Sequence, residues 1–511
     1  MADGHRHNRM SDTEALMWAL EKDPALRSTI TVVFVFDSTI QREVLTHRFE
    51  RLSRVVPKLR QRVRSNTLSA APPRWEIDPY FDLAYHLWWV RAPGQATMRD
   101  VLAVAEPIAM SGFDRARPLW RAVVVECLPK GRSAIVFKLH HSITDGVGGI
   151  QLQLQLLDLE ADAPERDLPE APEVHVLSQP ERFADAVDHQ TRQGLGIFTR
   201  AAREVLDRAQ DFVHDPMTVL REGAELAGSI TRVVRPTAYA LSPLMTERSL
   251  SLRFDTLRFN GDELKAAARA AGGTLNDAYV AGIARGMHRY HLDNGVDCDE
   301  LRFAIPISLR PGDRAGGPGG AAGGEVDGGN SFVPARIELP IDISDPIEAM
   351  RAVHRHVDEA RHEPANELVD GLSGLINRMP TAAITPIFLT ATRAVDVTAS
   401  NVPGPPIPMY LAGARLEAQI PFGPLGGAAV NVTLLSYEHD INIGIVSDPA
   451  AVTDPNRLTA CLAAGFDEIL AVGRLTPGGA GSAPADPNPN LRPTQPGRFL
   501  GGGSPAGPFA S

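Results

Sequence analysis

Two stretches of the chain, residues 10–159 and 250–474, each alternate strand-type runs with segments of helical spacing. This alternation restricts the chain to an α/β or α+β fold. In the first stretch, Thr29-Ile-Thr-Val-Val-Phe-Val-Phe36 is β-branched and aromatic throughout and predicts a strand. Residues 42–56 place Val44, Phe49, Leu52 and Val56 at helical spacing and stop before Pro57. Further strands are predicted over 82–91, 120–127 and 133–141. In the second stretch, 262–271 and 275–290 predict helices, and 301–308, 427–437 and 440–447 predict strands. Tyr437-Glu-His-Asp440 turns the last two into a hairpin. Residues 150–159 alternate with period two, but Gln and Leu are good helix formers and nothing after Ile150 is β-branched, so a helix is preferred.

The breaks between these stretches are compositional. Residues 161–172 are rich in Asp, Glu, Pro and Ala and read as a linker, followed by a helical connector over about 179–230. Residues 311–329 hold nine Gly in 19 positions and read as a flexible internal loop. The last 36 residues hold eight Pro and eight Gly, too little apolar surface to offset the cost of ordering, so the tail reads as disordered. The expected division is a first lobe at 10–160, linker and connector at 161–245, a second lobe at 246–475 and the tail at 476–511.

The net charge of −11 and a pI near 5.8 argue against a nucleic-acid binder. Cys127, Cys298 and Cys461 are too far apart and too few for a disulfide framework or a metal cluster, which favours a reducing compartment. The first ten residues are polar where a signal peptide needs an apolar run. The uncharged run 418–437 carries Pro421, Gly423, Pro424, Gly426 and Gly427, unsuited to a spanning helix. The expectation is a cytoplasmic protein, either soluble or resting on a membrane surface.

The sharpest chemical feature is Lys138-Leu-His140-His141-Ser-Ile-Thr-Asp145-Gly146-Val-Gly-Gly149: a strand that ends in two histidines, then an Asp, then a glycine-rich turn. Side chains alternate along a strand, so Ile135, Phe137, Leu139 and His141 share one face while Lys138 and His140 share the other. With the apolar face turned inward, His141 is the expected buried imidazole. An imidazole titrating near neutrality suits a general base that activates a hydroxyl, and Asp145 would fix the loop by pairing with a cation. A core histidine and a metal ligand are the competing readings. No further ligand stands at zinc-like spacing, so no metal is expected. Neither Gly-x-Ser-x-Gly, nor a P-loop, nor Gly-x-Gly-x-x-Gly is present.

His140-His-x-x-x-Asp-Gly146 resembles the signature of acyl-CoA-dependent acyltransferases with the chloramphenicol acetyltransferase-like fold, a signature shared with peptide-synthetase condensation domains. Ser11-Asp-Thr-Glu-Ala-Leu-Met-Trp18, Pro118-Leu-Trp120, Asn276-Asp277, Pro306-Ile-Ser-Leu-Arg310, Gly329-Asn330 and Ser400-Asn-Val-Pro-Gly-Pro405 resemble, in order, the further motifs of the bacterial wax ester synthase/diacylglycerol acyltransferase family. The resemblance implies two similar lobes with a tunnel at their interface. It implies transfer of a long-chain acyl group from acyl-CoA to diacylglycerol or a fatty alcohol, without an acyl-enzyme and without a cofactor. His141 would be the base, His140 its support, and Asp145 an ion-paired brace beside Gly146, held by Arg60 in preference to Arg310. Asn276, Ser400, Asn401 and Trp120 would approach the substrates. Each of these four also has a packing, capping or turn role as its plainer reading. A carrier-protein-bound donor and a non-catalytic lipid-binding role are the alternatives. Lipid substrates require a meeting with a membrane or lipid droplet. The basic run at 48–64, seven cations against one Glu, is a candidate for CoA phosphates or an anionic surface, with a solvated helix face as its alternative. Leu87-Trp-Trp89 is a candidate interfacial contact, or else core.

Overall fold

A computed structural model of the chain describes residues 9–65, 72–144, 146–178, 181–182, 239–308, 332–362 and 381–475. The Gly-rich loop, the tail and all but two residues of the predicted connector lie outside these, as do Asp145 and Arg310. The first lobe contains α1 (Asp12–Leu20), β1 (Thr29–Phe36), α2 (Arg42–Val55), β2 (Gln61–Arg64), β3 (Arg74–Ile77), α3 (Leu83–His86), β4 (Leu87–Arg91), α4 (Met98–Met110), β5 (Trp120–Glu126), β6 (Ser133–His140) and α5 (Gly146–Leu156). The second contains β7 (Arg253–Asn260), α6 (Gly261–Ala271), α7 (Leu275–Asp293), β8 (Glu300–Ser308), β9 (Phe332–Pro340), α8 (Pro346–Arg361), α9 (Thr381–Arg393), β10 (Val397–Val402), β11 (Tyr410–Leu411), β12 (Ala414–Phe422), β13 (Val430–Tyr437), β14 (Asp440–Ser447) and α10 (Pro455–Leu475).

Two six-stranded sheets result, ordered β11-β12-β1-β6-β5-β4 and β7-β14-β13-β10-β8-β9. Both are mixed: β4 runs parallel to β5, and β10 parallel to β8 and β13, while the other pairs are antiparallel. Unlike the predicted partition, the sheets do not follow chain order. β11 and β12 come from the second stretch, yet β12 pairs along β1 in the first sheet. This crossing joins the lobes. Phe422 of β12 stacks on Phe254 of β7, centroids 4.1 Å apart and planes 5° apart, and burying each ring contributes about 1.5–3 kcal/mol. Gly444 of β14 permits the approach, because a Cβ there would stand 1.8 Å from the Pro421 carbonyl oxygen. The Tyr437 hydroxyl accepts from the Met409 N–H and donates to the Leu416 carbonyl, tying β13 to β12.

Within the first sheet, β6 is buried on both faces, residue by residue. Ile135, Phe137 and Leu139 pack with Phe49 and Leu52 of α2. Ala134 and Val136 pack on the opposite face with Val101 and Leu102 of α4 and with Phe254 and Phe422. In the second lobe the core lies between the sheet and α6, α7, α8 and α10, with Tyr279, Met287, Leu462 and Phe466 at its centre.

Two local expectations change and a third holds. Residues 83–86 form a helical turn ahead of β4, because the Asp82 carboxylate accepts the Ala84 N–H and opens a turn where a continuous strand was expected. Residues 150–156 are helical, as preferred, within α5. The basic run is no exposed patch. Arg48 pairs with buried Asp158 at 3.0 Å, Lys58 with Glu14 at 2.8 Å, Arg54 and Arg60 with Glu50, Arg62 with Asp78 and Arg64 with Glu76. Six of its seven cations thus meet a carboxylate of the first lobe, and Arg51 donates to the Gln155 carbonyl.

Candidate active site

β6 ends at His140, one residue short of its predicted end, and His141 stands in the turn that follows. The predicted burial of the two rings is therefore inverted. His140 is fully buried and His141 is half-buried. Alternation selects the buried ring only where one face is apolar, and this strand is covered on both sides.

The turn is held at its backbone. The His141 N–H donates to the Ser28 carbonyl at 2.8 Å, the His140 N–H to Leu119 at 3.0 Å and the Ile143 N–H to His140 at 2.9 Å. The His140 ring braces it from behind. Its Nδ1 accepts the Ser142 amide N–H at 3.1 Å and lies 2.6 Å from the Ser142 hydroxyl. An acceptor Nδ1 puts the ring hydrogen on Nε2, which stands 3.4 Å from Glu21 Oε2, an ion-pair distance longer than an aligned hydrogen bond. Burial would push the Glu21 carboxyl up. His140 and the Ser28 N–H, which donates to Glu21 at 2.9 Å, outweigh it and hold the group below its ordinary value. Glu21 thus touches both the ring of His140 and the residue whose carbonyl fixes His141.

α1 supplies this bracing from both ends. At its start, Ser11 and Glu14 form a capping box, and the other Glu14 oxygen takes Lys58, whose ammonium also donates to the Ser142 carbonyl at 3.3 Å. At its end, Glu21 faces His140, and Trp18 sits edge-on to that ring at 5.9 Å. On the same strand face, Lys138 is 2% exposed. Its ammonium donates to the carbonyl and hydroxyl of Ser111 and lies 4.3 Å from the Phe113 ring. Burial pulls its pKa down to about 7.

The remaining candidates separate. Gly146 begins α5 directly after the turn. Arg60 is turned to Glu50 and the Ser53 hydroxyl and lies over Phe81. Trp120 is 1% exposed, its indole N–H donates to the Leu59 carbonyl at 2.7 Å and its ring stacks on His86, so it is core and offers no edge to a substrate. Asn276 lies in the first turn of α7, where Asp277 caps the helix through Thr274 and meets His354 at 2.9 Å. Ser400 and Asn401 occupy the end of β10, beside β13. Trp88 is 40% exposed, beneath the Arg121 guanidinium at 3.9 Å, while Leu87 is buried. Among the described residues no group of three His, Cys, Asp or Glu could hold a metal, and no helix is long and apolar enough to cross a membrane.

The model of the wax ester synthase/diacylglycerol acyltransferase catalytic domain matches residues 10–279, and that of the family's C-terminal domain matches residues 328–470. The chain belongs to this family. It is an acyltransferase. A putative diacylglycerol O-acyltransferase of Mycobacterium tuberculosis is 35% identical over 498 residues, covering 95% of this chain and 99% of the relative. A second putative diacylglycerol O-acyltransferase of that organism is 28% identical over 482 residues, covering 91% and 98%. Among solved structures, the wax ester synthase/diacylglycerol acyltransferase of Marinobacter aquaeolei VT8 matches with a TM-score of 0.59 at 19% identity, covering 91% of this chain and all of that one. The first condensation domain of the calcium-dependent antibiotic synthetase matches at 0.57 and 15%, covering 91% and 96%. These two likenesses carry the fold: two chloramphenicol acetyltransferase-like lobes of mixed α/β structure.

Nothing in the sequence pattern gives Glu21, Ser28, Ser142 or Lys58 a place at the site. One signal was legible: Ser11-x-x-Glu14 has the spacing of a capping box and marks where α1 begins. Nothing local marks Glu21, since its partner lies 119 positions further on.

Proposed function

We propose that this acyltransferase moves a long-chain acyl group from acyl-CoA to the hydroxyl of diacylglycerol or a long-chain alcohol, with His141 as general base. The observation that carries the reading is the placement of His141: one residue beyond a strand buried on both faces, its backbone fixed by Ser28, its neighbour His140 locked between Ser142 and Glu21. A half-buried imidazole so held can reach a substrate without shifting its own main chain, the preorganisation that proton transfer needs. The acceptor oxygen attacks the thioester carbonyl while His141 takes its proton. Collapse of the tetrahedral intermediate breaks the carbon–sulfur bond, and the imidazolium returns the proton to the leaving thiolate. Nothing is left on the enzyme. His140 acts by positioning, and Asp145, with Gly146, by bracing the loop. The substrates are lipids, so the protein meets a membrane or droplet surface while it works.

The test is purified protein with palmitoyl-CoA and either hexadecanol or dioleoylglycerol, with free thiol and ester product followed together. Stoichiometric thiol and ester, and no thiol burst without acceptor, support the reading. A burst without acceptor refutes direct transfer. Failure of free acyl-CoA alongside transfer from an acylated carrier protein refutes the donor.

A further inference from the structure

β4 is the outer strand of the first sheet, and the short helix α3 leads into it. Trp88 on this strand is the one exposed tryptophan of the chain's five. Trp18, Trp75 and Trp120 are buried and Trp89 is half-buried. The Trp88 ring is covered by a cation. The Arg121 guanidinium lies over it at 3.9 Å and over the Tyr85 ring at 5.0 Å, and the Arg117 guanidinium lies over Tyr85 at 4.3 Å. Two aromatic rings and two guanidinium groups form one cluster at the rim of the sheet.

The cations of this cluster are poorly matched by acids. Among the described residues Arg121 has no carboxylate at ion-pair distance, and its guanidinium makes only the two ring contacts. Arg117 stands 3.8 Å from the Asp114 carboxylate, beyond hydrogen-bond reach, with both groups partly exposed. The interior behind Arg121 is positive as well. Arg121 is the cross-strand partner of Lys138, whose pKa is pulled to about 7 chiefly by burial and further by the Arg121 charge. The acids of this neighbourhood are engaged elsewhere, Glu21 with His140 and Ser28, and Asp78 with Arg62. The basic run at 48–64 is the contrast, since carboxylates meet its cations. A chain of net charge −11 repels an anionic surface except where cations stand without acids. An exposed indole beneath a guanidinium suits the boundary between headgroups and acyl chains, where the ring enters the apolar edge and the cation meets phosphate.

The cluster also lies at the functional end of the sheet. Arg121 pairs with Lys138, two residues before His140, and Leu87 opens β4 opposite Ala122. Trp88 and Arg121 therefore stand at the end from which the histidine turn leaves. We propose that Trp88 and Arg121, together with Tyr85 and Arg117, seat the enzyme on an anionic phospholipid surface, with the histidine end of the first sheet toward it. The proposal rests on the reading that the acceptor is a lipid alcohol held in such a surface, and it names the part of the protein that meets it. These residues bring the enzyme to its acceptor and take no part in the chemistry.

The experiment floats full-length wild type, Arg121→Gln, Arg121→Lys and Trp88→Ala with vesicles of phosphatidylcholine alone and of phosphatidylcholine with phosphatidylglycerol. The wild type is expected to prefer the anionic vesicles, less so as salt rises. Arg121→Gln should bind them about fivefold more weakly, the scale of one cation at an anionic surface, while Arg121→Lys keeps the charge and most of the binding. Wild-type tryptophan emission should shift to the blue on the vesicles, and Trp88→Ala should lose that shift, because the other four rings are buried or half-buried. Turnover of dioleoylglycerol by Arg121→Gln should fall with binding when the lipid is in anionic vesicles and hold when it is dispersed in neutral detergent. Undiminished flotation of Arg121→Gln, an intact blue shift in Trp88→Ala, or a wild type indifferent to anionic vesicles would overturn the proposal, the last leaving the cluster to a protein partner. So would a raised KM for palmitoyl-CoA in Arg121→Gln at constant flotation, which would assign the cation to CoA phosphates. If the wild type acylates no alcohol, the functional reading fails by itself, and flotation still decides the surface.

Discussion

The two faces of β6 are equally buried and differently used. One carries Ile135, Phe137 and Leu139 against α2, where contacts are apolar and Trp120 completes the layer. The other begins in the same way with Ala134 and Val136, then changes to Lys138 and His140, whose polar atoms find Ser111, Ser142 and Glu21. Burial therefore says little about role in this sheet. The distinction lies in what each buried group must satisfy: an apolar side chain needs only neighbours, whereas an imidazole or ammonium needs named partners. The second face is consequently the one tied to distant parts of the chain, and the one next to the histidine turn.

The apolar face should fail as packing. Trp120→Ala is expected to cost about 3–5 kcal/mol of stability, read from urea unfolding, while folded protein at low temperature keeps its KM for both substrates. A selective rise in one KM at unchanged stability would return Trp120 to the substrate site. The polar face should fail as positioning. Glu21→Gln removes a charged partner from His140 and is expected to lower kcat by about 1.5–3 kcal/mol, roughly 10- to 100-fold, with KM little changed. In a double-mutant cycle with His140→Ala the second substitution should add almost nothing. Additive losses would show that Glu21 does not act through His140.

The smallest effect concerns Lys138. Its folded pKa of about 7 lies below the ordinary lysine value, so above pH 7 the unfolded chain holds a proton that the folded one lacks. Stability from this group therefore rises with pH across that window, by up to about 1.4 kcal/mol per unit. Unfolding measured at about pH 7 and about pH 9 should show that slope in the wild type and a flatter one in Lys138→Met. Equal slopes would mean the ammonium stays charged in the folded protein.

Much of this was legible in the chain. β1 was predicted residue for residue, α2 to within its last residue, and the β13–β14 hairpin with its turn and β14 in place but β13 three residues too long at its start, because β-branched runs, helical spacing and a following proline act locally. The histidine signature was legible for the same reason. The burial of its two rings was not, since alternation orders side chains only when one face is wet, and Lys138 gave no warning that its own face was closed. The fate of the basic run was hidden because its neutralising acids, Glu14, Glu76, Asp78 and Asp158, are scattered over 145 positions and meet only on folding. The crossing of β12 into the first sheet was hidden likewise, since a strand's partner is not written in the strand.

The central claim is that the imidazole of His141, held by this frame, removes the acceptor proton. Its most direct test is steady-state thiol release by His141→Ala from palmitoyl-CoA with dioleoylglycerol, alongside thermal melting of the same preparation. Turnover should fall by about 10²–10⁴ at an unchanged melting temperature. Wild-type turnover in that variant would contradict it.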